Sequence, residues 1–172
     1  LDLFQEVDAA QRAEERRRLG IPSDAFVVGS FQKDGMGWGD GCEPKLIKGP
    51  DVLLRTVEQL QPRIPRLFVL LSGPARGYVR NGLRRLGVPH LHRYETSYAE
   101  LARLYRALDV YLVSSREEGG PKAVLEAMAS GVPLVSTRVG QATDIVRHEE
   151  NGWLADVEDA DRLAHCILRI AE

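Results

Sequence analysis

The chain has 172 residues, 44% of them hydrophobic and 28% charged, a balance typical of globular domains and unlike disordered or fibrous chains. Lys and Arg number 23 and Asp and Glu 25, so the net charge of −2 gives no bulk electrostatic reason to wrap nucleic acid. Two cysteines, Cys42 and Cys166, are too few for a disulfide-framed scaffold, and no apolar run approaches the ~18 residues of a membrane span.

The length suits one domain with a real core. Phe26-Val27-Val28-Gly29 reads as a buried strand, followed by a long glycine-rich loop from Gln32 to about Ile47. From Pro50 to Leu60 the apolar residues Val52, Leu53, Val57 and Leu60 recur with helical period. Leu67 to Leu71 is continuously apolar, as expected for a strand covered on both faces. Ser97 with Glu100 three residues later is a capping-box pattern that opens another helix. Val110–Val113 and Val132–Ser136 read as strands, with a helix from Pro121 to Ser130 between them that stops at Gly131. A last helix runs from about Glu158 to Ile170. Alternating strands and helices predict a doubly wound parallel α/β sheet with helices on both faces. Ligands of such sheets sit at the carboxyl ends of the strands, so chemistry is expected in the loops there.

Several familiar motifs are missing. Gly35-Met36-Gly37-Trp38-Gly39-Asp40-Gly41 does not fit G-x-G-x-x-G, and there is no Gly-Lys-Ser/Thr phosphate loop, H-E-x-x-H or G-x-S-x-G. His90, His92, His148 and His165 have no metal-like spacing with the cysteines.

The loop after the strand ending at Val113 is more informative. It reads Ser114-Ser115-Arg116-Glu117-Glu118-Gly119-Gly120-Pro121-Lys122 and leads into Glu126-Ala127-Met128. Gly119 and Gly120 permit a sharp turn and close approach of a ligand, and Pro121 suits the first helical position. Free N–H groups and the dipole at a helix start make an anion site. Glu118 stands just before that site and Glu126 two turns into the helix, as two carboxylates that can accept hydrogen bonds from sugar hydroxyls. Read differently, Glu126 merely pairs with Lys122 on a solvated stripe that also carries Ser130, opposite an apolar face of Val124, Ala127 and Met128. Lys33, Lys45 and Lys48 lie in or at the end of the glycine-rich loop. Lys48, just before Gly49-Pro50 at a helix entrance, is placed to meet phosphates; the plainer reading is three loop lysines balanced by Asp34, Asp40 and Glu43. Arg76, Arg80 and Arg84 step along one helical face, read either as a solvated face or as a contact for an anionic surface. Trp38, in the same loop, has no partner pattern beyond a possible stack on a ligand.

These residues resemble the retaining glycosyltransferases of family 4. Glu118 to Glu126 has the E-x7-E spacing of that family, followed by Glu126-Ala127-Met128-Ala129-Ser130-Gly131-Val132-Pro133. Val28-Gly29 with Lys48-Gly49, the stretch Leu104-Tyr105-Arg106-Ala107-Leu108-Asp109-Val110 and the closing Asn151-Gly152-Trp153-Leu154 fit the same pattern. The resemblance runs from about Ala25 to Glu172. It implies a Rossmann-like domain forming one half of a GT-B fold, the C-terminal nucleotide-sugar-binding half. Residues 1–20 then form the interdomain crossover and a helix. The acceptor-binding N-terminal domain would lie in a longer protein, in keeping with a chain that starts at Leu1 without Met.

By that resemblance the donor is a UDP-, GDP- or ADP-sugar, with no cofactor and no metal. Glu118 acts on the transferred sugar and Glu126 holds the ribose. Lys48, Gly119, Gly120 and Pro121 meet the sugar and diphosphate, with Lys33 as a second cation. Arg93 and Tyr94 lie near the base. The acceptor is open (a sugar, lipid or small molecule), membrane association is expected only through the missing half, and the expected location is the cytoplasm or the cytoplasmic face of a membrane. The isolated chain is expected to bind donor without transferring. A GT-B-fold sugar-nucleotide epimerase and a non-catalytic nucleotide-binding module are the alternatives. Two departures from the family pattern stand out. Gly29 is followed by Ser30 rather than Arg, and Gly140-Gln141-Ala142-Thr143-Asp144 ends in Asp where the family has Glu.

Overall fold

A computed structural model of the chain describes residues 2–120 and 122–172. The strands are β1 (Phe26–Phe31), β2 (Leu67–Ser72), β3 (His90–His92), β4 (Val110–Val113), β5 (Leu134–Thr137) and β6 (Trp153–Ala155). The helices are α1 (Ala9–Leu19), α2 (Pro50–Leu60), α3 (Gly77–Leu86), α4 (Tyr98–Arg106), α5 (Lys122–Ala129), α6 (Ala142–Ile145) and α7 (Ala160–Ala171). A 3-10 turn, Leu46–Lys48, leads into α2.

The strands form one parallel sheet in the order β3-β2-β1-β4-β5-β6. Period-2 alternation sends Val27 and Phe31 to one face and Val28 to the other. Leu19 of α1, Leu104 and Tyr105 of α4, and Val124 and Ala127 of α5 fill the first layer. Val52, Leu53 and Val57 of α2, Val79 and Leu83 of α3, and Leu163 and Ile167 of α7 fill the second. The doubly wound α/β architecture is as the sequence predicts. Its strand order reverses between β1 and β4, and there the loops splay apart to leave a crevice.

Most boundaries agree to within two or three residues, and α2 spans the predicted Pro50–Leu60. Strand β1 continues two residues beyond Gly29, because Ser30 and Phe31 still pair with Leu71 and Ser72. Strand β5 starts at Leu134, after Pro133, whose missing N–H cannot join the ladder. Ser97 does cap α4 in position, but its side chain makes no capping hydrogen bond. Glu100 turns instead to Arg18 of α1 and to Arg103. The reciprocal capping box occurs at Asp8 and Gln11, at the start of α1.

The arginine stripe is corrected at its first member. Arg76 is 1% exposed, whereas Arg84 is on the surface. Its guanidinium donates to the carbonyls of Ser30 (2.6 Å), Ser72 (2.8 Å) and Gln32 (3.2 Å), at the ends of β1 and β2. Its Nε lies 2.9 Å from Oδ1 of Asp34, which is itself fully buried rather than a solvated counter-charge to the loop lysines. Burial pushes the Asp34 carboxyl up, against the pull of the Arg76 charge. The pair anchors the glycine-rich loop. Lys45 N–H donates to the Asp34 carbonyl, Gly35 bridges to Pro44, and the carbonyls of Asp40 and Gly41 accept from Gly77 and Tyr78.

Removing one partner of a buried pair strands the other, at a cost of about 3–5 kcal/mol. Arg76→Ala is therefore expected to lower the unfolding free energy measured by urea titration by an amount of that order. A loss below about 1 kcal/mol would mean that the loop holds its shape without the pair.

Candidate functional site

The crevice at the strand-order reversal is lined by Phe31 and Gln32 from the end of β1, Lys48, Tyr111 and Val113 of β4, Glu118, and Lys122, Ala123 and Glu126 of α5. It encloses about 240 Å³. A second hollow of about 460 Å³, mostly apolar, adjoins it and is lined by Leu3, Phe4, Tyr98 and Leu125. Lys122 and Glu126 border both, so Glu126 stands between a polar cleft and an apolar one.

Lys48 and Glu118, seventy positions apart, meet at the mouth of the first cleft. Lys48 Nζ lies 2.6 Å from Glu118 Oε2, and Ser115 Oγ donates to Glu118 Oε1 at 2.8 Å. Both oxygens of the carboxylate are thereby fixed. The lysine is placed by a conformational device at Gly49, which has φ of +61° and ends the 3-10 turn. A Cβ at Gly49 would run into the Ser114 carbonyl oxygen, and the Ser114 hydroxyl donates to the Gly49 carbonyl at 2.9 Å. Pro50 then starts α2 without needing a donor.

More bonds fasten the two loops. The Ile47 carbonyl accepts from the backbone N–H of Arg116 (2.9 Å) and Glu117 (3.3 Å), and Gln32 Nε2 donates to the Lys48 carbonyl at 3.0 Å. The Arg116 side chain reaches the Leu46 carbonyl and both oxygens of Asp51, and pairs with Glu158. Its hydrogen bond to Asp51 holds that carboxyl below its ordinary range. From the far side, Thr137 Oγ1 donates to the Ser115 carbonyl, and Gly140 (φ +46°) lies against the carbonyls of Glu118 and Gly119 with no room for a Cβ.

Glu126 corrects the picture of a solvated helix stripe. It is 7% exposed, and Tyr105 Oη donates to its Oε2 at 2.9 Å, while no ion pair with Lys122 forms among the described residues. Ser130 is also buried. Glu126 thus faces Tyr105 of α4 rather than solvent, although Lys122 one turn earlier is exposed. Tyr105 packs edge-on to Phe4 and Phe31, and Tyr111 binds the Phe31 backbone through its hydroxyl. Burial drives both phenols well above the ordinary tyrosine pKa, so both stay protonated as donors.

Not every sequence-predicted residue converges here. Lys33 lies outside the cleft lining, with Nζ 3.6 Å above the Trp38 ring, and Trp38 itself is 82% exposed. Arg93 and Tyr94 are exposed on the chain directly after β3, and Tyr98 is the side chain from that region that lines the apolar hollow. Gly119 and Gly120 are exposed at the approach to α5, and Pro121 lies outside the described residues. Asp144 is exposed on α6. Gln32, Ser115, Arg116 and Tyr105 were not singled out from sequence. The only signal for the first three is their position at a strand end, and nothing local marks Tyr105, whose partner is 21 residues away. Among the described residues no three His, Cys, Asp or Glu side chains form a metal-ligand cluster, and no helix is long and apolar enough to cross a membrane.

A doubly wound domain with cations and carboxylates gathered at its switch point has the site position of ligand-binding α/β domains. The chain belongs to the glycosyl transferases group 1, whose family pattern matches residues 42–172. It is 33% identical over 176 residues to a D-inositol 3-phosphate glycosyltransferase of Saccharomonospora viridis, covering 93% of this chain and 38% of that protein. The chain thus spans about two fifths of the length of the curated relatives it matches. Among solved structures it is similar to Anabaena Alr3699/HepE in complex with UDP-glucose, with a TM-score of 0.75 and 26% identity over 98% of this chain and 44% of that one. It also shares its fold with the C-terminal domain of a group 1 family glycosyl transferase (LpcC) from Francisella tularensis, with a TM-score of 0.78 and 18% identity over 99% of this chain and 86% of that one. The fold is the Rossmann-like α/β half found in GT-B glycosyltransferases.

Tyr105→Phe removes the donor held against a buried carboxylate, a bond worth about 1.5–3 kcal/mol when one partner is charged. Chemical unfolding is expected to show a loss in that range with the aromatic packing retained. An unchanged midpoint would mean that Glu126 finds another partner.

Proposed function

We propose that this chain is the C-terminal, donor-binding domain of a retaining family 4 glycosyltransferase and that it binds a nucleoside diphosphate sugar. The observation that carries the reading is the convergence of Lys48, Glu118 and Glu126, from three separate segments, on one cleft at the switch point. The UDP-glucose complex of the similar Anabaena Alr3699/HepE supports this class of ligand.

In this reading the diphosphate lies at Lys48, the exposed backbone of Gly119 and Gly120, and the start of α5 at Lys122, with Pro121 added on the family resemblance alone. The ammonium, the free N–H groups and the helix dipole stabilise the departing diphosphate without a metal. Lys33 joins them only by leaving the Trp38 ring. Glu126, held by Tyr105, accepts from the ribose hydroxyls. The base then enters the apolar hollow of Leu3, Phe4, Tyr98 and Leu125, and Arg93 and Tyr94 are assigned to it on the family resemblance alone. Glu118 faces the sugar. Residues 1–20 form the segment that joins the two halves of the whole enzyme, whose other half binds the acceptor and completes transfer with retention. The chain alone binds donor and does not transfer.

The test is calorimetric titration of the 172-residue chain with UDP, GDP and ADP. One nucleotide is expected to bind saturably, and Lys48→Ala and Glu126→Ala are each expected to weaken it about tenfold or more, as fits the loss of a charge-assisted bond. Equal binding by both variants and the parent chain would refute the site assignment.

A further inference from the structure

The lysine assigned to the diphosphate already has a counter-ion. Lys48 Nζ sits 2.6 Å from Glu118 Oε2, with side-chain exposures of 24% and 13%, and Ser115 locks the other carboxylate oxygen at 2.8 Å. Around the cleft, Lys48 and Lys122 are balanced by Glu118 and Glu126. The cleft has no net positive charge to draw a highly charged anion, in contrast to an ordinary phosphate pocket.

The two forms of ligand load this balance differently. A sugar nucleotide has its outer phosphate esterified and brings sugar hydroxyls that can donate to Glu118. A free nucleoside diphosphate has an additional ionisable oxygen and no such donors, so its outer phosphate competes with Glu118 for Lys48 and meets the carboxylate as a like charge.

We propose that Glu118 is the specificity-determining counter-charge of the cleft, setting its preference for the intact sugar nucleotide over the free nucleoside diphosphate. The proposal rests on the donor-binding reading above and deepens it. The sugar hydroxyls satisfy Glu118 when the donor is whole. When the sugar passes to the acceptor oxygen, the leaving diphosphate keeps the electron pair of the broken sugar–oxygen bond and is held by Lys48. Once the sugar hydroxyls have gone, Glu118, pinned by Ser115, stands as a like charge beside the free diphosphate and competes with it for Lys48. The pair thus weakens the hold on product without weakening the hold on donor. Two features distinguish this from a merely structural ion pair. Glu118 lines the cleft, and the loops on either side are already fastened by bonds that do not involve it, through Ile47, Gly49 and Arg116.

The test compares the parent chain with Glu118→Gln, titrated with inorganic pyrophosphate, with UDP, GDP and ADP, and with UDP-, GDP- and ADP-glucose. Glutamine keeps the size and removes the charge. It is expected to tighten pyrophosphate and the matching nucleoside diphosphate about tenfold, as fits relief of one like-charge contact in a partly screened site. The sugar nucleotide is expected to bind no tighter than before, so the ratio of the two affinities moves towards product. Circular dichroism checks folding. Should the glutamine variant unfold, Glu118→Asp, which keeps the charge but withdraws it by one methylene, is expected to shift the ratio the same way by a smaller factor. If the parent chain binds nucleotide and neither substitution tightens diphosphate relative to sugar nucleotide, the counter-charge role is overturned and the donor-binding reading stands. If neither parent nor variant binds pyrophosphate or any nucleotide, the donor-binding reading itself fails and this inference falls with it.

Discussion

The contact on which the site depends is the close approach of Gly49 to Ser114. Two loops, one leading into α2 and one leaving β4, touch backbone to backbone at a point where no side chain fits. Without that approach Lys48 and Glu118 would remain on separate loops at the rim of the sheet. With it, an ammonium and a carboxylate distant in sequence lie within hydrogen-bond distance. A parallel sheet supplies the setting, because its crossovers place successive loops at one end and the reversal between β1 and β4 leaves a gap there. The rest of the site consists of devices that keep the gap at a fixed width.

Those devices are polar, and they are concentrated at the C-terminal end of the strands. Arg116 gathers Leu46, Asp51 and Glu158 around one guanidinium, a use suited to its planar fork of donors. Arg76 does the same for the ends of β1 and β2, donating to three carbonyls and forming an ion pair with the buried Asp34. Such groups would be liabilities in an apolar core. Here they serve backbone carbonyls at the strand ends and in the loop before α2, and a buried carbonyl without a donor is costly. The extended loop 32–47 is therefore a fastened structure, although its glycine content reads as flexibility.

The fold was legible because each strong strand is a short apolar run and helices such as α2 and α7 carry an apolar face at the right period; α1 carries none and buries Glu15 and Arg16 instead. The two weakest strands, β3 and β6, escaped that reading. Each is three residues long, and β3 includes two histidines, so neither shows a pattern apart from its neighbours. At the site, Glu118 and Glu126 were visible through their spacing around a glycine-rich helix start. Whether Glu126 faced solvent or ligand was not decided by that spacing. The answer lay in Tyr105 on a different helix, and a single sequence carries no mark of such a pairing. Arg76 failed for a similar reason. A three-member arginine stripe looks like a solvated face, yet its first member lies just before the helix, where the chain direction turns it inward.

The aromatic cluster gives the Glu126 carboxylate a longer lever than its single hydrogen bond. Phe4, Phe31, Tyr105 and Tyr111 touch in series, with ring centroids 4.8–5.6 Å apart. Tyr105 holds Glu126, Phe31 and Tyr111 line the polar cleft, and Phe4 lines the apolar one. Residues near the start of the chain and the polar centre of the cleft therefore belong to one packed unit. Close-packed rings in fixed rotamers do not yield independently. A displacement of Phe4 must be taken up by Tyr105, and Tyr105 can move only by lengthening or re-aiming its bond to Glu126. Helix α1, which follows Phe4, is itself tied to the sheet, since Arg16 and the Val27 N–H both donate to Asp109 at 2.7 Å. Movement of the segment that carries Phe4 therefore reaches the Glu126 carboxylate through contact between these rings, with no need for a loop to reorder.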